Sequence, residues 1–339
     1  MKVQQWFSAR RRGKGTAPVI TPTHSQLPML HLADTTRNNV IAVVGEFVGT
    51  FLFLFFSFAG TQVSNTPKPA AGANPDTSNL LYSSLCFGFS LMVNVWAFYR
   101  VTGGLFNPSV TLALCLVGGL SPIRGVLVFG AQLVAGIASA GVVSALFPGP
   151  LNVTTRLGGG TSISQGLFIE MFLTAQLVLV IIMLAVVKHK STFLAPVGIG
   201  LVFFVTELVG DYYTGGSLNP ARSLGPDVIN RNFPGYHWIY WVGPLLGSLL
   251  ACGFFTFLRL AQYHTVNPGQ DFNEWEAKNG PGSWDVSMHR PSFFSESTTV
   301  DRVQSPSGRP SHPTPSNSHG PSNSHGGGPL SIPHGAEQV

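Results

Sequence analysis

The chain has 339 residues, of which 45% are hydrophobic and only 10% are charged, and its formal net charge is +5. A soluble protein carries about a quarter of its residues as charged side chains, so this composition excludes an ordinary water-soluble domain. The apolar residues come in blocks of roughly 20, the length that crosses a bilayer as a helix. The sequence therefore predicts an all-α protein that crosses the membrane several times.

Six apolar blocks predict six membrane-spanning helices in two groups of three. They lie near residues 40–60, 80–99, 123–146, 165–187, 193–209 and 237–260. Residues 1–38 are polar and basic, which predicts a disordered cytosolic arm. No apolar segment with a cleavage site follows the basic start, so no cleaved signal peptide is expected. Three cysteines lie in apolar segments and are expected to pack rather than form disulfides: Cys86, Cys115 and Cys252.

Residues 262–339 are rich in Ser, Pro, His and Gly and contain one hexapeptide twice, from Pro315 and from Pro321. This composition cannot bury enough apolar surface to fold alone, so we expect a disordered cytosolic tail. Its scattered histidines could bind a metal, but a solvated tail is the preferred interpretation, and no cofactor is expected. Ser292 and Ser305 lie beside prolines and are candidate phosphorylation sites.

The basic residues predict the orientation of the spans. They cluster at one set of span ends, on the same side as the basic arm: Arg100, Arg124, Lys188, Lys190 and Arg259. By the positive-inside rule both termini are then cytosolic. Asn152, in the sequence Asn-Val-Thr, lies on the opposite side and is a candidate for glycosylation. The plasma membrane is the expected location, and an internal membrane stays open.

One phrase occurs twice in the chain. Thr-Gly-Gly-Leu-Phe-Asn-Pro begins at Thr102, and Thr-Gly-Gly-Ser-Leu-Asn-Pro begins at Thr214. Asn is a preferred helix N-cap and Pro suits the first helical position, so each copy predicts a loop that starts a short helix. Three spans per half imply an inverted repeat, in which the two short helices meet at the bilayer midplane. Asn107 and Asn219 are then expected to face each other.

The two Asn-Pro loops predict a pore for a neutral solute. Non-helical backbone at membrane depth is tolerated where it is buried in protein or lines a watery cavity. The carbonyls before each Asn would accept hydrogen bonds, while the Asn amides and the positive helix ends would orient a water and oppose a cation or proton. The matched Thr-Gly-Gly and the spacing outweigh an interpretation as merely tight loops.

Other classes of protein stay open at this point. A secondary transporter also uses inverted repeats and broken helices, but we expect the spans to carry no additional Asp, Lys or His that serves as a coupling-ion ligand beyond two bracing glutamates. A structural or adhesive membrane protein is a third class. We expect no enzyme, because no nucleophile–base pair, metal spacing or phosphate loop stands out, and no nucleic-acid partner.

Over about residues 40–260 the sequence resembles the aquaporin (major intrinsic protein) family. The family's two Asn-Pro-Ala boxes correspond to Asn107-Pro108-Ser109 and Asn219-Pro220-Ala221. The resemblance implies six transmembrane helices plus two re-entrant half-helices, and a homotetramer in the lipid bilayer with one pore in each subunit. Other positions also agree with the family: Glu46 with Thr50, Glu170 with Thr174, Gln132, and Gly243 with Pro244. The resemblance implies that the two glutamates accept backbone hydrogen bonds and brace the re-entrant loops.

The resemblance also implies an outer filter of four residues, which are Phe87, Glu207, Gly216 and Arg222. Arg222 would supply fixed donors and a positive charge, and Phe87 an aromatic wall. Water-selective members usually have His where Glu207 stands, and often Cys or Thr at Gly216. Two arrangements of Glu207 stay open: an ion pair with Arg222 across the pore, or a side chain turned aside to cap a loop.

Two further positions separate water channels from glycerol channels in this family. Ser223 stands where glycerol channels usually have Asp, and Tyr240-Trp241 is typical of water channels. We therefore expect a passive channel for water and other small neutral solutes such as hydrogen peroxide, which is close to water in size. A glycerol or small-polyol facilitator is the alternative. The long soluble tail and the unusual filter resemble fungal members.

Overall fold

The computed structural model describes residues 33–66 and 76–267, all of which belong to one compact unit. The described part contains no strand, and its α-helices are α1 (Asp34–Ser64), α2 (Thr77–Phe98), α3 (Pro108–Leu116), α4 (Pro122–Leu146), α5 (Ile163–Ile181), α6 (Ala195–Thr214), α7 (Pro220–Asn230) and α8 (Ile239–Leu260). A π-helical turn, Ile182–Val186, extends α5, and two 3₁₀ turns, Lys190–Leu194 and Tyr263–Thr265, complete the described structure.

Six of these helices are long and apolar enough to cross a membrane: α1, α2, α4, α5 with its π turn, α6 with its 3₁₀ turn, and α8. The other two, α3 and α7, have 9 and 11 residues. Each rises only about 15 Å, half the thickness of the hydrocarbon core. The predicted fold class, six spanning helices with two half-helices, is confirmed.

The helices pack as two intertwined halves. Within the halves, α1 packs on α2 and α4, and α5 packs on α6 and α8. Across the halves, α2 packs on α6, α3 on α8, and α7 on α4. Each half-helix thus lies against the last span of the other half, which brings the two Asn-Pro loops together.

Close helix crossings depend on glycine. A Cβ at Gly136 of α4 would collide with the carbonyl oxygen of Ala221 on α7, and a Cβ at Gly247 of α8 would collide with that of Met171 on α5. Glycine at these two positions therefore allows α7 to come into backbone contact with α4, and α8 with α5.

Several helix ends differ from the prediction by a few residues, and two of these differences matter for the site. α1 begins at Asp34, inside the predicted arm 1–38, because Arg37 pairs with Asp34 at 2.8 Å and polar side chains there continue the helix. α6 ends at Thr214 rather than near residue 209. Asp211 therefore lies within a span, and the prediction that the spans carry no additional Asp is wrong.

Candidate functional site

The two Asn-Pro boxes start the half-helices. Asn107 caps α3 by accepting a hydrogen bond from the backbone N–H of Ser109 at 2.8 Å, and Asn219 caps α7 by accepting from Ala221 at 2.9 Å. Pro108 and Pro220 occupy the first helical positions, where a missing N–H costs nothing. The motif thus forms the predicted local structure in both halves.

Each Asn side chain also reaches across to the other half. Asn107 Nδ2 donates to the carbonyl of Leu218 at 2.9 Å, and Asn219 Nδ2 donates to the carbonyl of Phe106 at 2.9 Å. An amide nitrogen carries two hydrogens, so each Asn retains one N–H for a solute. Phe106 and Leu218 have φ of 52° and 51°, a left-handed conformation uncommon for such residues, which these contacts hold in place.

Two buried glutamates brace the loops before the boxes. Glu46 and Glu170 are both 0% exposed, and each carboxylate accepts hydrogen bonds from two consecutive backbone N–H groups. Glu46 accepts from Leu105 at 3.1 Å and from Phe106 at 2.8 Å. Glu170 accepts from Ser217 at 3.0 Å and from Leu218 at 2.8 Å. Gln132 Nε2 donates a third hydrogen bond to Glu46 at 2.8 Å. A buried carboxylate is costly unless it is hydrogen-bonded, and these contacts supply the partners.

A narrow cavity lies between the boxes. Its volume of about 10 Å³ is close to the least that holds one water. Asn107 and Asn219 contribute polar atoms to the wall. The remaining side-chain wall is apolar: Phe53, Leu91, Leu105, Val110, Leu177, Ile181, Ile199 and Phe203. The site therefore offers hydrogen bonds at one position and an apolar surface elsewhere.

Arg222 is held by backbone carbonyls. It is 1% exposed and donates to the carbonyls of Gly216, Val153 and Gly215 at 3.0, 2.6 and 3.2 Å. Its guanidinium carbon lies 4.8 Å from the ring centroid of Phe87, within range of a cation–π interaction. A guanidinium has five N–H donors, so three bonds leave two for a solute.

The four predicted filter residues lie in one cluster. Arg222 contacts Phe87 and Gly216, and Gly216 lies against the Glu207 carboxylate so closely that a Cβ there would collide with Glu207 Oε2. Gly216 has φ of +55°, which glycine adopts without cost.

Glu207 adopts neither of the two predicted arrangements. Its side chain is buried, and neither carboxylate oxygen has a hydrogen-bond partner among the described residues. The ion pairs found in that part of the chain include neither Glu207 nor Arg222. Both predictions fail for one reason, since the carbonyls of the surrounding loops satisfy Arg222 and the loop N–H groups are satisfied by Glu170.

A charged network beside the filter was missed from the sequence. Asp227 is buried and lies 2.7 Å from Arg156 and 2.7 Å from His237 Nδ1, while Trp241 Nε1 donates to His237 Nε2 at 3.1 Å. The network joins the loop between α4 and α5, which also carries Val153, to α7 and α8. A carboxylate at position 227, in a half-helix within the membrane, indicated that charged or polar partners must lie nearby. The spacing of residues along the sequence does not identify those partners.

The candidate modification sites are placed only in part. Asn152 lies in the loop between α4 and α5, with its backbone N–H bonded to Gln62 and its carbonyl to Asn65. Glycosylation there stays a prediction. Ser292 and Ser305 lie outside the described residues.

The fold and the site define an integral membrane protein with two re-entrant half-helices around a narrow, partly polar cavity. Residues 34–255 match the model of the family described as Major intrinsic protein. The chain is 60% identical over 247 residues to "Aquaporin-7" of Botryotinia fuckeliana (strain B05.10), covering 71% of this chain and 54% of that protein. It is 52% identical over 244 residues to "Probable aquaporin-3" of Gibberella zeae, covering 71% of this chain and 85% of that protein.

The chain thus spans about half the length of the Botryotinia fuckeliana relative. Among solved structures, the aquaglyceroporin from Plasmodium falciparum has the same fold, with a TM-score of 0.57 and 21% identity over 66% of this chain and 99% of that one. The chain belongs to the major intrinsic protein family, and the predicted resemblance to fungal aquaporins is confirmed.

Proposed function

We propose that this protein is a passive channel that passes water, and hydrogen peroxide by the same path, and that excludes ions and protons. The observation that carries the proposal is the pair of Asn side chains, each with one free N–H beside a cavity that suits a single water. A water there turns its oxygen toward the two amides and toward the positive ends of α3 and α7. The water molecules that pass this point cannot then form a continuous hydrogen-bonded chain along which a proton could move. A cation is repelled by the positive helix ends.

The outer filter supports water over glycerol. Arg222 keeps two N–H donors, and the Phe87 ring packs against its guanidinium. Ser223, which stands where glycerol channels usually have Asp, is hydrogen-bonded to Ser217 at 2.6 Å and to Thr155 at 2.9 Å. No carboxylate at this position binds the guanidinium, so its donors stay available for water.

A glycerol facilitator is the second candidate. Gly216 has no side chain, and the Glu207 carboxylate takes up the space beside it. The Glu207 oxygens have no hydrogen-bond partner among the described residues, so they are free acceptors for a hydroxyl-rich solute. The solved structure with the same fold is that of an aquaglyceroporin, but at 21% identity this likeness extends only to the fold.

Stopped-flow light scattering on proteoliposomes tests the proposal, with water, hydrogen peroxide and glycerol as solutes. We expect fast water and peroxide flux, negligible glycerol flux, and no change when an H⁺ or Na⁺ gradient is imposed. Fast glycerol flux that falls in Glu207→His would favour the facilitator. Flux that follows an ion gradient would favour a secondary transporter, and Arg222→Ala without any effect would favour a structural protein.

The orientation, the location and the assembly of the channel complete the proposal. We place both termini in the cytosol and the protein in the plasma membrane, as a homotetramer with a pore in each subunit. Glycosidase treatment that lowers the apparent mass of wild type but not of Asn152→Gln tests the orientation and the glycan together. A variant that lacks residues 270–339 tests regulation by phosphorylation of Ser292 and Ser305. Unchanged flux and trafficking in this variant would rule out that hypothesis.

A further inference from the structure

Two phenylalanine rings lie in the cavity wall and belong to neither the Asn-Pro boxes nor the outer filter. Phe53 of α1 and Phe203 of α6 line the same cavity as Asn107 and Asn219. Their ring centroids are 5.7 Å apart and their planes meet at 73°, an edge-to-face contact that aromatic rings favour. The cavity is therefore bounded on one side by a paired aromatic wall.

This pair is continuous with the outer filter. The ring centroid of Phe87 lies 6.0 Å from that of Phe203 and 6.4 Å from that of Phe53. Phe87 in turn contacts the guanidinium of Arg222. Phe53 and Phe203 thus adjoin both the outer filter and the cavity that the two Asn side chains line.

The position of Phe203 follows from a close helix crossing. α2 and α6 meet at Gly88 and Gly200, where a Cβ on Gly200 would lie 2.8 Å from the carbonyl oxygen of Gly88. Any larger residue would separate the helices. The glycine contact therefore holds Phe87, next to Gly88, and Phe203, one turn after Gly200, on facing helices at a fixed separation.

The position of Phe53 is fixed by hydrogen bonds. The carbonyl oxygen of Phe53 accepts the hydroxyl of Ser57 at 2.8 Å and that of Ser90, on α2, at 2.7 Å. The second bond ties α1 to α2 at the level of the ring. Because the interior is close-packed, neither ring retreats without a shift of its helix.

We propose that Phe53 and Phe203 form a second solute filter, inside the outer one, which sets the upper size limit of the pore. This inference rests on the proposed channel function. At the outer filter, the polar Glu207 carboxylate occupies the space beside Gly216, whereas two apolar rings bound the inner cavity. Aromatic walls offer no hydrogen bonds, so a polyol loses hydration there without replacement, while water keeps its bonds to the next water and to Asn107 or Asn219.

Phe203→Val is the direct test, measured by water and glycerol flux in proteoliposomes. We expect about a tenfold rise in glycerol permeability with water flux retained, the lower end of the discrimination that steric fit in an apolar pocket achieves. Phe203→Trp should lower water flux. Phe255→Val is the matched control: Phe255 of α8 is 4% exposed and does not line the cavity, so the same loss of volume should leave glycerol flux unchanged.

Unchanged glycerol flux in a folded Phe203→Val that still passes water would overturn the second filter, as would an equal rise in Phe255→Val. If Phe203→Val does not fold, Phe203→Leu and Phe53→Leu make a smaller change and should raise glycerol flux in the same direction. Wild type that passes no water would contradict the channel itself. The water flux of the wild type thus tests the channel function. The ratio of glycerol flux in the variant to that in the wild type tests the second filter separately.

Discussion

Replacing Glu170 with Gln removes one acceptor from a pair that holds the second re-entrant loop. The carboxylate accepts the N–H groups of Ser217 and Leu218 at 3.0 and 2.8 Å, and it is 0% exposed. A glutamine keeps one oxygen and turns its NH₂ group toward the other N–H. One buried donor then lacks a partner, which costs about 1–3 kcal/mol. Glu170→Ala leaves both donors without partners and should cost about twice as much.

These costs translate into a measurable shift in melting temperature. For a domain of this size 1 kcal/mol shifts Tm by about 2–4 °C, so we expect Glu170→Gln to lower Tm by about 2–12 °C and Glu170→Ala by about twice that. The assay is fluorescence-detected thermal unfolding in detergent at one heating rate, since unfolding of such proteins is often irreversible.

Glu207 provides the matched control. It is a second fully buried glutamate, but it accepts no hydrogen bond among the described residues. Glu207→Gln should therefore leave Tm unchanged, because the substitution removes no hydrogen bond made by the described residues. An equal fall in Tm for Glu207→Gln and Glu170→Gln would refute the argument that the two backbone hydrogen bonds brace the loop.

Three other perturbations address the filter. Gly216→Ala should lower Tm and water flux, because the new Cβ collides with the Glu207 carboxylate and alanine is strained at a φ of +55°, with the collision costing about 1–3 kcal/mol. Adding Glu207→Ala removes the collision but not the strain, so it should restore the water flux and only part of Tm; flux assays and thermal unfolding of the single and double variants check this. Arg222→Val should admit glycerol and raise proton leak, measured with a pH-sensitive dye inside the vesicles; a leak equal to that of wild type would contradict the role of the guanidinium. Asp227→Ala should lower the free energy of unfolding by about 1–3 kcal/mol, because Arg156 and His237 lose their buried partner while Arg156 keeps two carbonyl acceptors. Arg156→Met paired with Asp227→Leu should recover most of this loss, which thermal unfolding of the variants checks.

Much of this architecture is local in the sequence and could be predicted from it. A span is a run of apolar residues whose length matches the bilayer, so the six spans were found with ends displaced by a few residues. The two half-helices were found because an Asn N-cap followed by Pro specifies a helix start within three residues. The ends were displaced because a helix can extend past its apolar run through polar residues, such as Asp34 in the first turn of α1, where an acidic side chain is favoured, and Asp211 in the last turn of α6.

Other features required the tertiary structure, because they depend on residues far apart in the chain. Phe53 and Phe203 are two of 25 phenylalanines, and only the crossing at Gly88 and Gly200 brings the second ring to the cavity. Glu207 was predicted to pair with Arg222 or to cap a loop. In the structure Arg222 donates to backbone carbonyls instead, and Glu170 accepts the loop N–H groups. A motif specifies the local backbone, whereas competition for hydrogen-bond partners is decided only when all the helices are in place.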